Sequence, residues 1–243
     1  MTHHISGHPL TTLPNYERIL AKHHVFGASL LLQDGANCAL CDTSTANPEH
    51  LAQENTLYRV ASITKMATAL VTLRCIDNGL FALDSEAASL LPDGEKAPAL
   101  SGVTVRHLLC HTSGLRDLPM LDSCLKEGKP YTELLRQPEI RACGPGQQLI
   151  YSNFGFGLLG CILEQQTGLC IEPLFQEMLF RPLHMRATLD ASTLNEAEIM
   201  PITRVLPYRA GQELRVTALG RHPLQKLNPL CHYGHTACLL YTS

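Results

Sequence analysis

The sequence predicts an α/β (α+β) protein with a helical subdomain inserted between sheet elements. Two observations carry that expectation. Strand-like stretches joined by a turn occupy the first part of the chain, and a long helical middle follows them. No internal repeat, low-complexity tract or Pro-rich linker interrupts the order.

The elements follow one by one. Residues 16–24 (YERILAKHH) carry a short amphipathic helical pattern. Residues 28–33 and 38–42 are strand-like and join through Asp34-Gly35, a favourable hairpin turn. A further short strand covers 57–60. From Ser62 to about Asn78 the run SITKMATALVTLRCIDN is strongly helical and stops at Gly79, a residue suited to closing a helix. Helices are also expected over 105–110 after a Thr104 cap, over 153–167 ending at Gly168, and over 171–179. Beyond Asp190 the pattern becomes irregular and predicts no definite element.

The chain has 243 residues, of which 45% are hydrophobic and 17% charged, which excludes a disordered or fibrous protein. A compact chain of this length buries roughly 70–75% of its unfolded surface, so it needs no covalent staple. The net charge of −3 argues against a nucleic-acid partner. The longest apolar runs, 28–32 and 154–163, fall short of the roughly 20 residues that cross a bilayer, so no membrane span is expected. The N-terminus shows no basic region followed by an apolar core and a cleavage site, and a cytoplasmic protein is the expectation. The ten cysteines then read as reduced thiols, mostly buried as small hydrophobes. Cys38 and Cys41 form a C-x-x-C pair, but it lies in a strand-like stretch without a second ligand pair, so no metal or other cofactor is expected. The histidine pairs His3-His4 and His23-His24 read as solvated or partly packed.

The chemistry concentrates in V-A-S-I-T-K. Ser62 and Lys65 sit three apart at a helix start, so their side chains share a face. A serine hydroxyl needs a base within hydrogen-bond reach, and an amine one turn on can serve. The helix N-terminus adds positive potential where an oxyanion would develop. By itself S-x-x-K is weak and reads better as an N-cap serine before a surface lysine. A second segment, Tyr151-Ser152-Asn153, leads from G-P-G-Q-Q-L-I into an apolar helix. Its tyrosine can exchange a proton with a nearby lysine, and its asparagine amide can orient a carbonyl. A third, His111-Thr112-Ser113-Gly114-Leu115, reads as a turn in which His111 satisfies backbone groups.

Together these segments resemble the serine β-lactamase superfamily, on the branch of class C β-lactamases, D-alanyl-D-alanine carboxypeptidases and β-lactamase-like esterases. The resemblance runs from about residue 27 to 188. It rests on L-Y-R-V-A-S-I-T-K, V-T-V-R-H-L-L-C-H-T-S-G-L, G-P-G-Q-Q-L-I-Y-S-N-F-G, L-L-G-C-I-L-E-Q-Q-T-G and F-R-P-L-H-M in that order. It implies a β-lactamase/transpeptidase-like fold, an antiparallel sheet flanked by helices. It also implies Ser62 as the acylated nucleophile, Lys65 as its proton partner, Tyr151 as the base of the second motif and Asn153 as a substrate-orienting residue. Y-S-N in place of S-D-N separates the chain from class A enzymes.

The family's third motif, K-T-G or H-x-G, lines the cleft from a strand. Its candidate here is His235-Thr236-Ala237, with Ala in place of Gly and a short interval after Tyr151. His235 is thus the substrate-binding candidate. Nothing after Ala237 resembles the closing strands and helix of the family. The final C-L-L-Y-T-S back-translates to TGTCTCTTATACACATCT, the transposon end used in sequencing libraries. The expectation is therefore one incomplete domain over 1–237, lacking its C-terminal strands, with 238–243 as adapter read-through. A hairpin with few sheet partners and an uncovered apolar face would then favour aggregation and an inactive fragment.

The functional expectation is a serine hydrolase that forms a covalent acyl-enzyme with an ester, amide or β-lactam carbonyl on a small molecule or peptide. The alternative is a non-catalytic penicillin-recognising or partner-binding protein of the same fold, against which the intact Ser62, Lys65 and Tyr151 argue.

Overall fold

The computed structural model describes residues 3–5, 18–19, 22, 27–34, 37–44, 56–121, 130–195, 198–199, 202–205, 216–220 and 241–242. In chain order the strands are β1 (His3–Ile5), β2 (Gly27–Asp34), β3 (Asn37–Ser44), β4 (Tyr58–Arg59), β5 (Ala187–Thr188), β6 (Ile202–Val205), β7 (Val216–Gly220) and β8 (Tyr241–Thr242). The helices are α1 (Thr64–Asp77), α2 (Ala87–Leu90), α3 (Val105–Leu109), α4 (Tyr131–Leu135), α5 (Asn153–Thr167) and α6 (Ile171–Phe175). The chain forms two compact units, Met1–Tyr58 with Leu194–Leu224 and Ser243, and Arg59–Thr193 with Gln225–Thr242.

In the first unit the expected hairpin forms and is longer than its apolar pattern indicated. β2 and β3 pair antiparallel from Gly27↔Ser44 to Asp34↔Asn37; the turn residue Gly35 lies outside the described residues. The hairpin also has a partner that the sequence did not announce. β1 pairs antiparallel with β3, His3 opposite Asp42 and His4 opposite Cys41, giving a three-stranded sheet in the order β1-β3-β2. His3 and His4 are therefore strand residues. Backbone pairing across a long sequence separation leaves no mark on a dipeptide such as His-His. Cys38 and Cys41 both lie in β3. β6 and β7 form a second antiparallel pair, irregular between Arg204 and Val205, in the region where the sequence predicted no element. Of the expected helix over 16–24, residues 18, 19 and 22 are described and are helical. The pair His23-His24 lies outside the described residues.

The second unit is mostly helical, and its helix ends obey local chemistry. α1 is capped by Asn78, followed by Gly79 at φ +76. α5 is capped by Gly168 at φ +69. Both glycines take the left-handed conformation that closes a helix at least cost. Thr104 caps α3: its hydroxyl accepts from the His107 N–H at 3.3 Å, and its own N–H donates to His107 Nδ1 at 3.2 Å. The expected helix over 171–179 is α6 followed by a π-helical turn, Gln176–Phe180.

The core of this unit forms around α1, α3 and α5, with Val71, Leu108, Phe154, Leu158, Ile162 and Phe175 at 0–1% exposure. α1 buries three threonines in its packed face without leaving a hydroxyl unbonded. Thr64, Thr68 and Thr72 donate to the carbonyls of Ala61, Thr64 and Thr68. β5 pairs antiparallel with β8, Thr188 opposite Tyr241. No single described helix is long and apolar enough to cross a membrane. Of the five described free cysteines, Cys75 is buried, Cys143 and Cys161 are partly so, and Cys110 and Cys170 are exposed. The two exposed ones, Cys110 and Cys170, sit at helix ends; burial of the other five cysteines lies outside what is described.

Candidate active site

Ser62 lies on a short 3-10 turn, Ala61–Ile63, directly ahead of α1, and is an exposed residue. The preceding residue, Ala61, has φ +47, a strained conformation for a residue with a Cβ, and such strain collects at functional sites. Lys65 lies in the first turn of α1 and is only 7% exposed. Its Nζ donates to Ser62 Oγ at 3.4 Å and to Asn153 Oδ1 at 2.7 Å. Tyr151, 89 residues further along, donates its hydroxyl to the same Ser62 oxygen at 2.8 Å. The Lys65 ammonium lies 4.7 Å from the centre of the Tyr151 ring and 5.6 Å from that of Phe156, so the cation is partly sheltered by aromatic faces. Ser62, Lys65, Tyr151 and Asn153 are thus brought into one cluster. His235 lies outside the described residues.

Tyr151 and Asn153 owe their placement to the way α5 begins. Ser152 is buried at the N-cap, and its hydroxyl accepts from the Gly155 N–H at 3.0 Å. The Asp117 carboxylate meets the same turn. It accepts from the N–H groups of Asn153 (3.1 Å) and Phe154 (2.9 Å), from Ser152 Oγ (3.1 Å) and from Asn153 Nδ2 (2.7 Å). An anion is favoured there by the unpaired N–H groups and the positive end of the helix dipole. Asp117 and Phe156 are site residues that sequence reasoning missed. Their signals are slight: one acid two residues past H-T-S-G-L, and one apolar residue in an apolar helix.

The H-T-S-G-L segment is the turn the sequence predicted, and it frames the site. Gly114 has φ +75, and a Cβ there would fall 2.1 Å from the Cys143 carbonyl oxygen, so only glycine fits. Past it the chain runs antiparallel to residues 139–143, with Ala142 N donating to Gly114 O at 2.8 Å and Arg116 N to Ile140 O at 3.0 Å. His111 and Thr112 accept from the N–H groups of Ile150 and Gly146 at 2.8 and 2.7 Å. One segment therefore carries Asp117 and also ties down the loop that delivers Tyr151. His111 satisfies a backbone group as expected, its Nδ1 accepting from the Ser152 N–H at 3.2 Å. It also packs its ring 4.5 Å from that of Tyr151 and 5.0 Å from that of Phe156. Burial and the nearby Lys65 ammonium push the His111 imidazole below its usual range, against an opposing pull from Asp117.

A hydroxyl with a phenol and an ammonium in reach has the parts of an activated nucleophile with a proton path. The known proteins it resembles carry related names. The family model described as Beta-lactamase matches residues 15–222. The chain is 28% identical over 225 residues to "Penicillin-binding protein 4" of Amycolatopsis lactamdurans, covering 83% of this chain and 58% of that protein. It is 32% identical over 157 residues to "Monacolin J acid methylbutanoyltransferase" of Aspergillus terreus, covering 54% and 37%. The chain thus spans about half the length of these relatives. A solved class C β-lactamase superposes with a TM-score of 0.68 at 20% identity, over 94% of this chain and 59% of that one, which shows the β-lactamase/transpeptidase fold. The chain belongs to the Beta-lactamase family.

Proposed function

We propose that Ser62 is the nucleophile of an acyl-transfer site that attacks an ester, amide or β-lactam carbonyl of a small molecule or peptide. The observation that carries the reading is the convergence on one oxygen, Ser62 Oγ, of the Tyr151 hydroxyl at 2.8 Å and the Lys65 ammonium at 3.4 Å. In this reading the Tyr151–Lys65 pair reacts in the form one proton short of phenol plus ammonium, so that Ser62 Oγ bonds to the carbonyl carbon while its proton passes into the pair. The carbon–heteroatom bond of the substrate then breaks, and the leaving group takes that proton away. The Ser62 N–H, at the turn ahead of α1, is suited to receive the developing oxyanion. Asn153 orients Lys65 through its Oδ1 and contributes to binding the substrate. The acyl group then passes to water, making a hydrolase, or to another acceptor, in line with the word methylbutanoyltransferase in one relative's name.

The test is covalent labelling. A fluorophosphonate or a labelled penicillin is expected to attach at Ser62, located by peptide mass spectrometry, and Ser62→Ala to abolish it. Lys65→Ala and Tyr151→Phe should each slow the labelling by roughly 10²–10⁴, the scale of general acid–base groups. Because the two act as a unit, the double variant should lose far less than the product of the single losses. Label that persists in Ser62→Ala would refute the assignment.

A further inference from the structure

We propose that Asp117 is a positioning residue of this site, fixing which end of the Asn153 amide faces Lys65 and thereby holding the ammonium beside Ser62. This rests on the reading of Ser62 as the acylated residue. The argument is one of polarity. An ionised carboxylate only accepts hydrogen bonds and a lysine ammonium only donates them, whereas a primary amide has one end of each kind. Asn153 stands between the two. Its Nδ2 donates to Asp117 Oδ2 at 2.7 Å, and its Oδ1 accepts from Lys65 Nζ at 2.7 Å. Turning the amide over would set oxygen against carboxylate and NH2 against ammonium, losing both bonds at once.

Asp117 itself has little freedom to move. Oδ2 is shared between Asn153 N and Nδ2, and Oδ1 between Phe154 N and Ser152 Oγ, so four donors from one helical turn fix the carboxylate plane. The segment carrying it is anchored in turn, since Arg116 N donates to Ile140 O and Arg116 Nε to Glu139 O. The order thus runs from the turn at Gly114 through Asp117 and Asn153 to Lys65. From Asp117 onward each link is a hydrogen bond whose donor and acceptor are dictated by the one before.

A carboxylate at a helix N-terminus also stabilises that helix, and the experiment must separate this from positioning. The measurement is the second-order rate of Ser62 labelling by a fluorophosphonate for wild type, Asp117→Asn, Asn153→Ala, Asn153→Asp and two double variants. Asp117→Asn keeps shape but loses the fixed polarity, and should slow labelling by roughly 10–100-fold, the scale of a misplaced catalytic group. In the Asn153→Ala background the same change should cost clearly less, because the amide link is gone and only the contacts to the helix start remain. Asn153→Asp sets two carboxylates face to face and should also slow labelling. Joining it with Asp117→Asn should restore much of the rate, since the new amide donates to the new carboxylate and that carboxylate still accepts from Lys65. An equal loss from Asp117→Asn in both backgrounds would reduce Asp117 to a helix cap and overturn the proposal. So would a swap no faster than the slower single variant.

Circular dichroism reports folding. If Asp117→Asn does not fold, Asn153→Asp and its rescue by the swap decide the matter alone, and wild-type labelling rates in Asn153→Asp would overturn the proposal. If wild type takes no label at Ser62, the nucleophile assignment is what fails. The positioning claim is then read from the Asn153 side-chain NH2 signals in a 15N-resolved NMR spectrum. They should exchange slowly with solvent in wild type and quickly in Asp117→Asn, or in Asn153-retaining Asp117→Ser if the first variant is unfolded. Unchanged exchange in the variant would overturn the claim.

Discussion

His111 holds an unusual position for its type: φ +57, ring against Tyr151 and Phe156, and Nδ1 committed to the Ser152 N–H. That hydrogen bond needs an unprotonated Nδ1, and burial together with Lys65 already lowers the imidazole pKa in the folded chain. The unfolded chain carries an ordinary histidine, near 6.5. Below that value the unfolded state binds a proton that the folded state resists, so the stability His111 contributes is present above pH 6.5 and is lost as pH falls towards the lower folded value. The melting temperature should therefore decline between pH 7 and pH 5, above the range of ordinary carboxylates. His111→Asn offers a side-chain oxygen to the same N–H and tolerates a positive φ, so its decline should be shallower. Equal slopes in the two proteins would remove His111 as the cause. The residue-level content of the site was legible in the sequence where it is local. Ser62 and Lys65 are three apart on one turn, whereas Asp117 acts on residues 35–37 positions away and has no spacing to betray it.

At the scale of elements, the glycine turns separate two costs that are usually mixed. Gly114 and Gly102 share a left-handed backbone, φ +75 and φ +70. A Cβ on Gly102 would meet only Pro145 Cγ at 3.7 Å, while one on Gly114 would strike the Cys143 carbonyl. Gly102→Ala should cost about 1–2 kcal/mol, the conformational term alone. Gly114→Ala should cost clearly more, because the strand-like contact between 113–117 and 139–143 must open. The two differ measurably in thermal melts, where roughly 2–4 °C follows each kcal/mol in a chain of this size. Melting points that fall together would mean the close approach relaxes without cost. Caps and stops of helices were readable from the sequence for the same reason these glycines are, since Thr104, Gly79 and Gly168 act on their immediate neighbours. The pairing of β1 with β3 and of β6 with β7 was not, because register across distant segments depends on partners that no local pattern names. The π turn after α6 was hidden too, since its apolar spacing is that of any helix.

For the whole molecule, the two faces of α1 meet different surroundings. The inner face is packed, with Val71 and Cys75 at 1% and 0% exposure. Yet Ile63, Met66, Leu70 and Leu73, spaced three and four apart along one stripe, remain 60%, 67%, 52% and 42% exposed. A contiguous apolar stripe in water favours association, and a net charge of only −3 offers weak repulsion against it. Light scattering should therefore show this chain self-associating as its concentration rises, with added salt increasing the effect. Leu70→Gln joined with Leu73→Lys removes apolar area from the stripe, keeps good helix formers, and sets the new cation near the negative end of α1. Because both side chains are substantially exposed, stability should change by no more than about 0.5 kcal/mol. The variant should scatter as a single species at concentrations where the parent chain does not. Scattering unchanged by the pair of substitutions would locate the association elsewhere and leave the exposed stripe without consequence.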